Sequence, residues 1–189
     1  IVGLNKNFWA GRNVLITGHT GFKGGWTSLL LSMMGAKVHG LSLEPTKDSR
    51  FYNSVGISKL ITSEEFCNIK DFSNCFKVIK ATMPEIIIHM AAQPLVRESY
   101  LNPLETYFVN AMGTANLLEA ARCSDSVEAI VNVTTDKCYK NNEWEWSYRE
   151  SEHLGGHDPY SSSKACSEII SAAYRDSYFN EKGIQLATA

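Results

Sequence analysis

Short apolar runs alternate with amphipathic stretches along nearly the whole chain. Arg12 to Thr17 is a β-branched run ended by Gly18, the pattern of a buried strand. From Phe22 to Met34 the apolar positions Phe22, Trp26, Leu29, Leu30 and Met33 recur at spacings of three and four until Gly35, which predicts a helix packed through that stripe. Lys37 to Leu43 reads as a second strand stopped by Pro45, residues 44 to 58 as irregular, and Lys59 to Thr62 as a third strand. Asp71 can start a helix through Phe72, Cys75, Phe76 and Ile79, and Glu85 to Met90 is a fourth strand. Pro103 to Arg122 is predicted helical, with Asn102 as its N-cap and Pro103 at its first position. Glu128 to Thr134 is a fifth strand, and a polar, aromatic loop runs from Tyr139 to Asp158. Asp158 can cap, and Pro159 open, a long helix to about Glu181, before a sixth strand at Ile184 to Thr188. Such alternation of strand and helix specifies a doubly wound α/β fold, a parallel Rossmann-type sheet covered on both faces.

Composition narrows the function classes. The 189 residues, 44% apolar and 20% charged, suit one dinucleotide-binding domain over 1–189. A net charge of −2 gives no electrostatic footprint for nucleic acid or anionic lipid, and no apolar run approaches the roughly 20 residues that cross a bilayer. The start of the chain lacks the apolar run of a secretory signal, so a cytoplasmic address is expected. Five cysteines, odd in number and without a C-x-x-C pair, suggest reduced thiols and no metal site. The chain stops within the sixth strand, so we expect a piece of a longer protein whose substrate-binding part lies outside it.

Gly18-His19-Thr20-Gly21-Phe22-Lys23-Gly24 joins the first strand to the first helix as G-x-x-G-x-x-G. Glycine suits a turn that needs positive φ, and its missing side chain lets a pyrophosphate reach the helix N-terminus. A plain strand-to-helix turn is the competing reading, and the flanking strand and helix favour a dinucleotide. At the end of the second strand, where an acidic ribose clamp is expected, stands Ser42. Glu44, two residues on, either serves instead or is a surface glutamate. The lack of an arginine immediately after favours NAD over NADP.

Tyr160 and Lys164 form Y-x-x-x-K and share a helix face. Tyr178 and Lys182 repeat the pattern, but roughly 27 Å further along a continuous helix, and are expected to be structural. Tyr160 follows the fifth strand near the carboxyl edge of the sheet, where open α/β folds bind ligands. A tyrosine acting as base must shed a proton with an ordinary pKa of about 10, and a lysine one turn away helps it do so.

The glycine pattern, His89 to Ala92 (HMAA), Asn110 and YSSSK (Tyr160 to Lys164) together resemble the extended short-chain dehydrogenase/reductase family. TGHTGFKGGW (from Thr17), AAQPLVRESY (from Ala91), TTDKCY (from Thr134), EWEWSYRE (from Glu143) and GGHDPYSSSK (from Gly155) are similar to its CDP-glucose 4,6-dehydratase branch, across essentially the whole chain. The resemblance implies a lyase that recycles NAD internally and removes water from a nucleotide sugar. Tyr160 would deprotonate the sugar 4-hydroxyl, Lys164 would tune it and hold the nicotinamide ribose, and Thr135 would bond the same hydroxyl. Asp136 would be the acid of the elimination. Lys137 would be its base, where related dTDP-glucose dehydratases have a glutamate. Cofactor contacts would come from Gly18, His19, Thr20, Gly21, Phe22, Lys23, Gly24, Ser42, Asn68, Ile69, Ala91, Ala92, Tyr160 and Lys164.

Some positions depart from the family pattern. Asn68 stands where many relatives carry an aspartate that binds the adenine amino group, which leaves that contact to the Ile69 backbone. His19 is expected either at the pyrophosphate or as a turn residue, and Arg97 at a phosphate or capping a loop. Trp144 and Trp146 would close over the sugar nucleotide or pack on a further part of the protein. The resemblance further implies a homodimer, through the helices holding Asn110 and Tyr160, and a place in deoxysugar synthesis for lipopolysaccharide O-antigen. An epimerase or other nucleotide-sugar dehydratase, and a non-catalytic dinucleotide-binding module, are the alternatives.

Overall fold

The computed structural model describes residues 5–189. After a turn of helix, α1 (Lys6–Trp9), the order is β1 (Asn13–Thr17), α2 (Phe22–Met33), β2 (Lys37–Ser42), α3 (Arg50–Val55), β3 (Ser63–Phe66), α4 (Phe72–Thr82) and β4 (Ile86–His89). Then come α5 (Val96–Leu101), α6 (Pro103–Tyr107), α7 (Gly113–Arg122), β5 (Ala129–Asn132), α8 (Pro159–Tyr174), α9 (Asn180–Lys182) and β6 (Gln185–Thr188). The strands form one parallel sheet in the order β3-β2-β1-β4-β5-β6. The chain turns back at the junction of β1 and β4, so the loops there diverge and leave a crevice.

Central strands are buried on both faces, which is why they read as unbroken apolar runs. Leu15 joins Leu41, Ile87, Leu117, Leu118 and Phe179 in one core, and Val14 and Ile16 join Leu31, Val38 and Tyr52 in the other. Asp158 caps α8 as expected, accepting from the Ser161 amide at 2.9 Å, and Asp71 caps α4.

Four expectations are corrected. In α2 the large stripe points outward: Phe22 and Met33 are 70% exposed and Trp26 50%, whereas Gly24, Gly25, Ser28 and Leu31 are buried. A glycine face lets the helix backbone come so near its neighbours that a Cβ on Gly25 would lie 2.8 Å from the Phe51 ring. The third strand is Ser63–Phe66, not 59–62, because Ile57 and Ile61 fill the core ahead of it and the polar β3 pairs only with β2. Residues 44–58, expected irregular, hold α3, ended by Gly56 in the left-handed region (φ 70°), followed by a 3-10 turn at Ile57–Lys59. Asn102 does not cap α6 through its side chain, which instead donates to Glu98, and α5, unforeseen, precedes it.

Candidate active site

At the carboxyl ends of β1, β2, β4 and β5 lies a cleft of about 540 Å³. Its floor is the β1–α2 turn. Gly18 sits at φ 78°, and a Cβ there would come within 2.9 Å of the Ala91 amide nitrogen, so the turn abuts the β4 loop backbone to backbone. Gly21 caps α2 without a side-chain bond, and the first helical donor is the Gly25 amide. The amides of Phe22, Lys23 and Gly24 are therefore left without an acceptor among the described residues, the arrangement that attracts an anion. No side chain intrudes at Gly24, where a Cβ would fall 2.1 Å from the Gly18 carbonyl oxygen.

Thr20 reaches across to β2, its hydroxyl 2.6 Å from that of buried Ser42. On the far side of the turn Asn68 accepts from the Lys70 amide (3.0 Å), while the Ile69 carbonyl takes the Asn116 amide group (3.0 Å). That leaves the Ile69 N–H free of an acceptor among the described residues. Gly18, Thr20, Gly21, Phe22, Lys23, Gly24, Ser42, Asn68, Ile69, Ala91, Ala92, Tyr160 and Lys164 thus line one cleft.

His19 is the exception. Its ring is fully buried on the β2–β3 side, away from the cleft, with Nε2 3.0 Å from a Glu64 carboxylate oxygen. A side-chain contact with a pyrophosphate is thereby corrected: Gly40 of β2 leaves room for the ring, and Glu64 of β3 supplies its partner. Glu44 is exposed outside the cleft, and Arg97 stands in solvent.

The opposite wall is α8. Lys164 is 6% exposed and donates to the Val133 carbonyl at 3.0 Å. Burial, opposed by Glu168 and reinforced by Lys23, pulls its pKa down to about 8. One turn earlier Tyr160 lines the cleft, and its phenol oxygen has no partner among the described residues. Beyond β5, Thr135 caps a 3-10 turn at Asp136–Cys138, and Thr135, Asp136 and Lys137 do not line the cleft, whose wall here ends at Val133 and Thr134. The Thr135 hydroxyl caps the turn, accepting from the Lys137 amide (3.3 Å), and Asp136 and Lys137 are exposed. Tyr178 and Lys182 lie far from the cleft, where the Lys182 amine bonds the Arg122 carbonyl (2.7 Å) and Arg122 covers the Tyr178 ring. Trp144 packs on Tyr148, and Trp146 stands open.

Sequence reading missed the polar seam that aims α8. Asn110 lies in a π turn (Phe108–Met112) joining α6 to α7. Its side chain accepts from the Gln93 amide (2.8 Å) and donates to the Gln93 carbonyl (3.1 Å) and to Ser163 (2.8 Å). Ser167 and Ser171 take both protons of the Asn132 amide group, and Thr114 meets Ser167 and His89. The signal was the spacing Ser163, Ser167, Ser171, one small polar residue per turn on a single face. His89, buried between Thr17 and Thr114, is held neutral, its pKa lowered to about 3 by burial and by Lys164. Among the described residues no three His, Cys, Asp or Glu side chains gather as metal ligands, and no helix is long and apolar enough to cross a membrane.

Fold and site together define a Rossmann-type domain of the short-chain dehydrogenase/reductase build, with a glycine turn and a tyrosine–lysine pair facing each other across the switch point. Comparison narrows this. The chain matches GDP-mannose 4,6 dehydratase over residues 15–182, and it belongs to that family. It is 47% identical over 98% of its length to the CDP-glucose 4,6-dehydratase of Salmonella typhimurium, of which it covers 53%, and 29% identical to a Yersinia enterocolitica GDP-mannose 4,6-dehydratase, of which it covers 46%. It thus spans about half the length of these relatives. Its fold is similar to that of a Brucella ovis UDP-glucose 4-epimerase in complex with NAD (TM-score 0.79, 23% identity, 94% of this chain and 51% of the other). It is also similar to the Streptomyces venezuelae DesIV dTDP-glucose 4,6-dehydratase double mutant with NAD bound (TM-score 0.77, 24% identity, 93% and 54%).

Proposed function

We propose that this chain is the cofactor-binding half of a nucleotide-sugar 4,6-dehydratase acting on CDP-glucose. One observation carries the reading: the glycine turn, Tyr160 and Lys164 converge on one cleft in a chain 47% identical to a CDP-glucose 4,6-dehydratase. The cleft fits NAD. The three free amides of α2 suit a pyrophosphate, Ser42 and the Ile69 N–H would hold the adenosine, and Lys164 would hold the nicotinamide ribose. NAD, held there, would supply the acceptor for the C4 hydride of the sugar and give that hydride back at C6, so none would be consumed.

Tyr160 takes the proton of the sugar 4-hydroxyl, with Lys164 one turn on along the same helix face. Thr135 bonds the same hydroxyl. The ketone formed at C4 acidifies the C5 proton, which Lys137 removes as Asp136 protonates the hydroxyl leaving C6, so one water departs, and Lys137 gives the proton back to C5 as the hydride is restored at C6. Asp136 and Lys137 stand in solvent here, and the role asked of them requires the rest of the protein and the sugar to cover them.

A homodimer accompanies this reading. Leu104, Phe108 and Met112 on the α6–α7 helix and Ile169 on α8 are exposed, the kind of apolar strip that a second copy covers. All five cysteines are free, which suits the reducing cytoplasm. The product would enter deoxysugar synthesis for lipopolysaccharide O-antigen. The test is mass spectrometry of CDP-glucose, dTDP-glucose and UDP-glucose incubated with the full-length protein and NAD. Loss of one water from CDP-glucose, abolished by Tyr160→Phe and by Lys137→Ala, is the expected outcome. Unchanged mass for all three sugars with NAD bound would refute the dehydratase.

A further inference from the structure

The second residue of the glycine turn does nothing in the cleft, yet its ring is buried and tied down. His19 enters a closed space between β2 and β3. Gly40 makes that space, since a Cβ there would lie 2.6 Å from the imidazole. Phe66 stacks over the ring at 6.1 Å and Tyr52 meets it edge-on at 5.8 Å. Burying a polar ring is unfavourable unless it is bonded, and the partner supplied is a carboxylate.

That carboxylate, Glu64 of β3, is a hub. One oxygen accepts from His19 Nε2 (3.0 Å) and from the Tyr52 hydroxyl (2.8 Å), and the other from the Ser58 hydroxyl (2.5 Å). Burial by itself would raise Glu64, but the bonds from Ser58, Tyr52 and His19 hold it below the usual carboxylate range. Burial lowers His19, against the pull of Glu64. A neutral imidazole therefore donates to a carboxylate through the neutral pH range. Thr20, the next residue, is fastened separately to Ser42. Two consecutive side chains thus anchor the turn to β2 and β3, while its amides face the opposite way, into the cleft.

We propose that Glu64 is a positioning residue for the anion-binding turn: through His19 it fixes the backbone whose free amides receive the cofactor's pyrophosphate. This rests on reading the cleft as a dinucleotide site. The test uses the full-length protein with two readouts, NAD affinity by titration calorimetry and, without cofactor, hydrogen exchange of the turn's bonded amides, Gly18 (to the Leu41 carbonyl, 2.7 Å) and Gly21 (to the Gly18 carbonyl, 3.0 Å). Glu64→Ala is expected to weaken NAD about tenfold and to speed exchange in the turn by a similar factor. Glu64→Gln, which keeps an acceptor for His19, stays within about twofold. His19→Phe keeps an aromatic ring, somewhat larger than the imidazole, and loses the donor, so it reproduces the loss, and adding Glu64→Ala to it costs nothing more. Ser58→Ala removes a bond to the same carboxylate without touching His19 and leaves affinity within about twofold, whereas a general loosening of β3 would weaken it.

Should Glu64→Ala fail to fold, His19→Phe and Glu64→Gln carry the same comparison. Unchanged exchange in the turn, or losses that add in the double variant, would overturn the proposal. Absence of NAD binding by the wild-type protein would instead sink the dinucleotide reading, and exchange measured without cofactor still decides the role of Glu64.

Discussion

The two walls of the cleft are built on opposite principles. On the β1–α2 side the geometry comes from missing side chains: Gly18 abuts Ala91, Gly24 abuts Gly18, and helix amides point into open space. On the β5–α8 side it comes from side chains present and paired, with Asn110, Ser163, Ser167 and Asn132 bonding in a buried seam that orients Tyr160 and Lys164. The first wall is complete within this chain. The second reaches the cleft through Tyr160 and Lys164, and the acid and base proposed above, Asp136 and Lys137, stand in solvent outside it. An anion-binding turn needs only backbone, whereas acid–base chemistry needs groups whose surroundings shift them, and those surroundings come from packing.

The sharpest way to break the first wall is Gly24→Ala. Its Cβ would lie 2.1 Å from a backbone oxygen, so the turn must move, at a cost of about 4 kcal/mol in chemical denaturation and at least a hundredfold in NAD affinity. On the other wall Lys164→Met should raise stability while abolishing turnover. Lys164 falls from 10.5 to about 8 on folding, so below pH 8 the buried charge destabilises the native state by about 3 kcal/mol. The unfolded chain binds the extra proton between pH 8 and 10.5, so wild-type stability climbs through that window. The advantage of the methionine variant should shrink across it, read from urea melts.

Acid tests the same wall more gently. His89 falls to about 3 when folded, so from pH 6.5 downward the unfolded state takes up a proton that the native state refuses, and stability drops as pH falls. His89→Gln should flatten that limb by about 2 kcal/mol between pH 6.5 and 5. The smallest effect belongs to Lys137→Ala, expected to change stability by less than about 0.5 kcal/mol because the side chain is exposed. A large destabilisation would mean that the outer end of the second wall is already built by this chain.

Legibility followed the same division. The glycine turn was readable because G-x-x-G-x-x-G states a backbone requirement directly, and thirteen of the fourteen residues named for the cofactor line the cleft, with His19 turned away. The α2 stripe misled because large apolar residues ordinarily mark the buried face, while here close approach selected glycine and serine. β3 was displaced because an edge strand of sequence SEEF carries no apolar periodicity and is held by side-chain bonds to Glu64. The seam of Asn110, Ser163, Ser167 and Asn132 was hidden for a related reason: serine is cheap in a sequence, and its meaning depends on what faces it.

Sequence by itself determined the alternation of strands and helices, the parallel wound class and the turn that offers its amides. All of these are local, set by periodicity, capping and allowed backbone angles within a few residues. Tertiary structure alone decided which face of α2 is buried, where His19 goes, that Glu64 holds it, and that Lys164 loses basicity. Those depend on residues tens of positions apart being brought within hydrogen-bonding distance and out of water, and only the packed sheet does that.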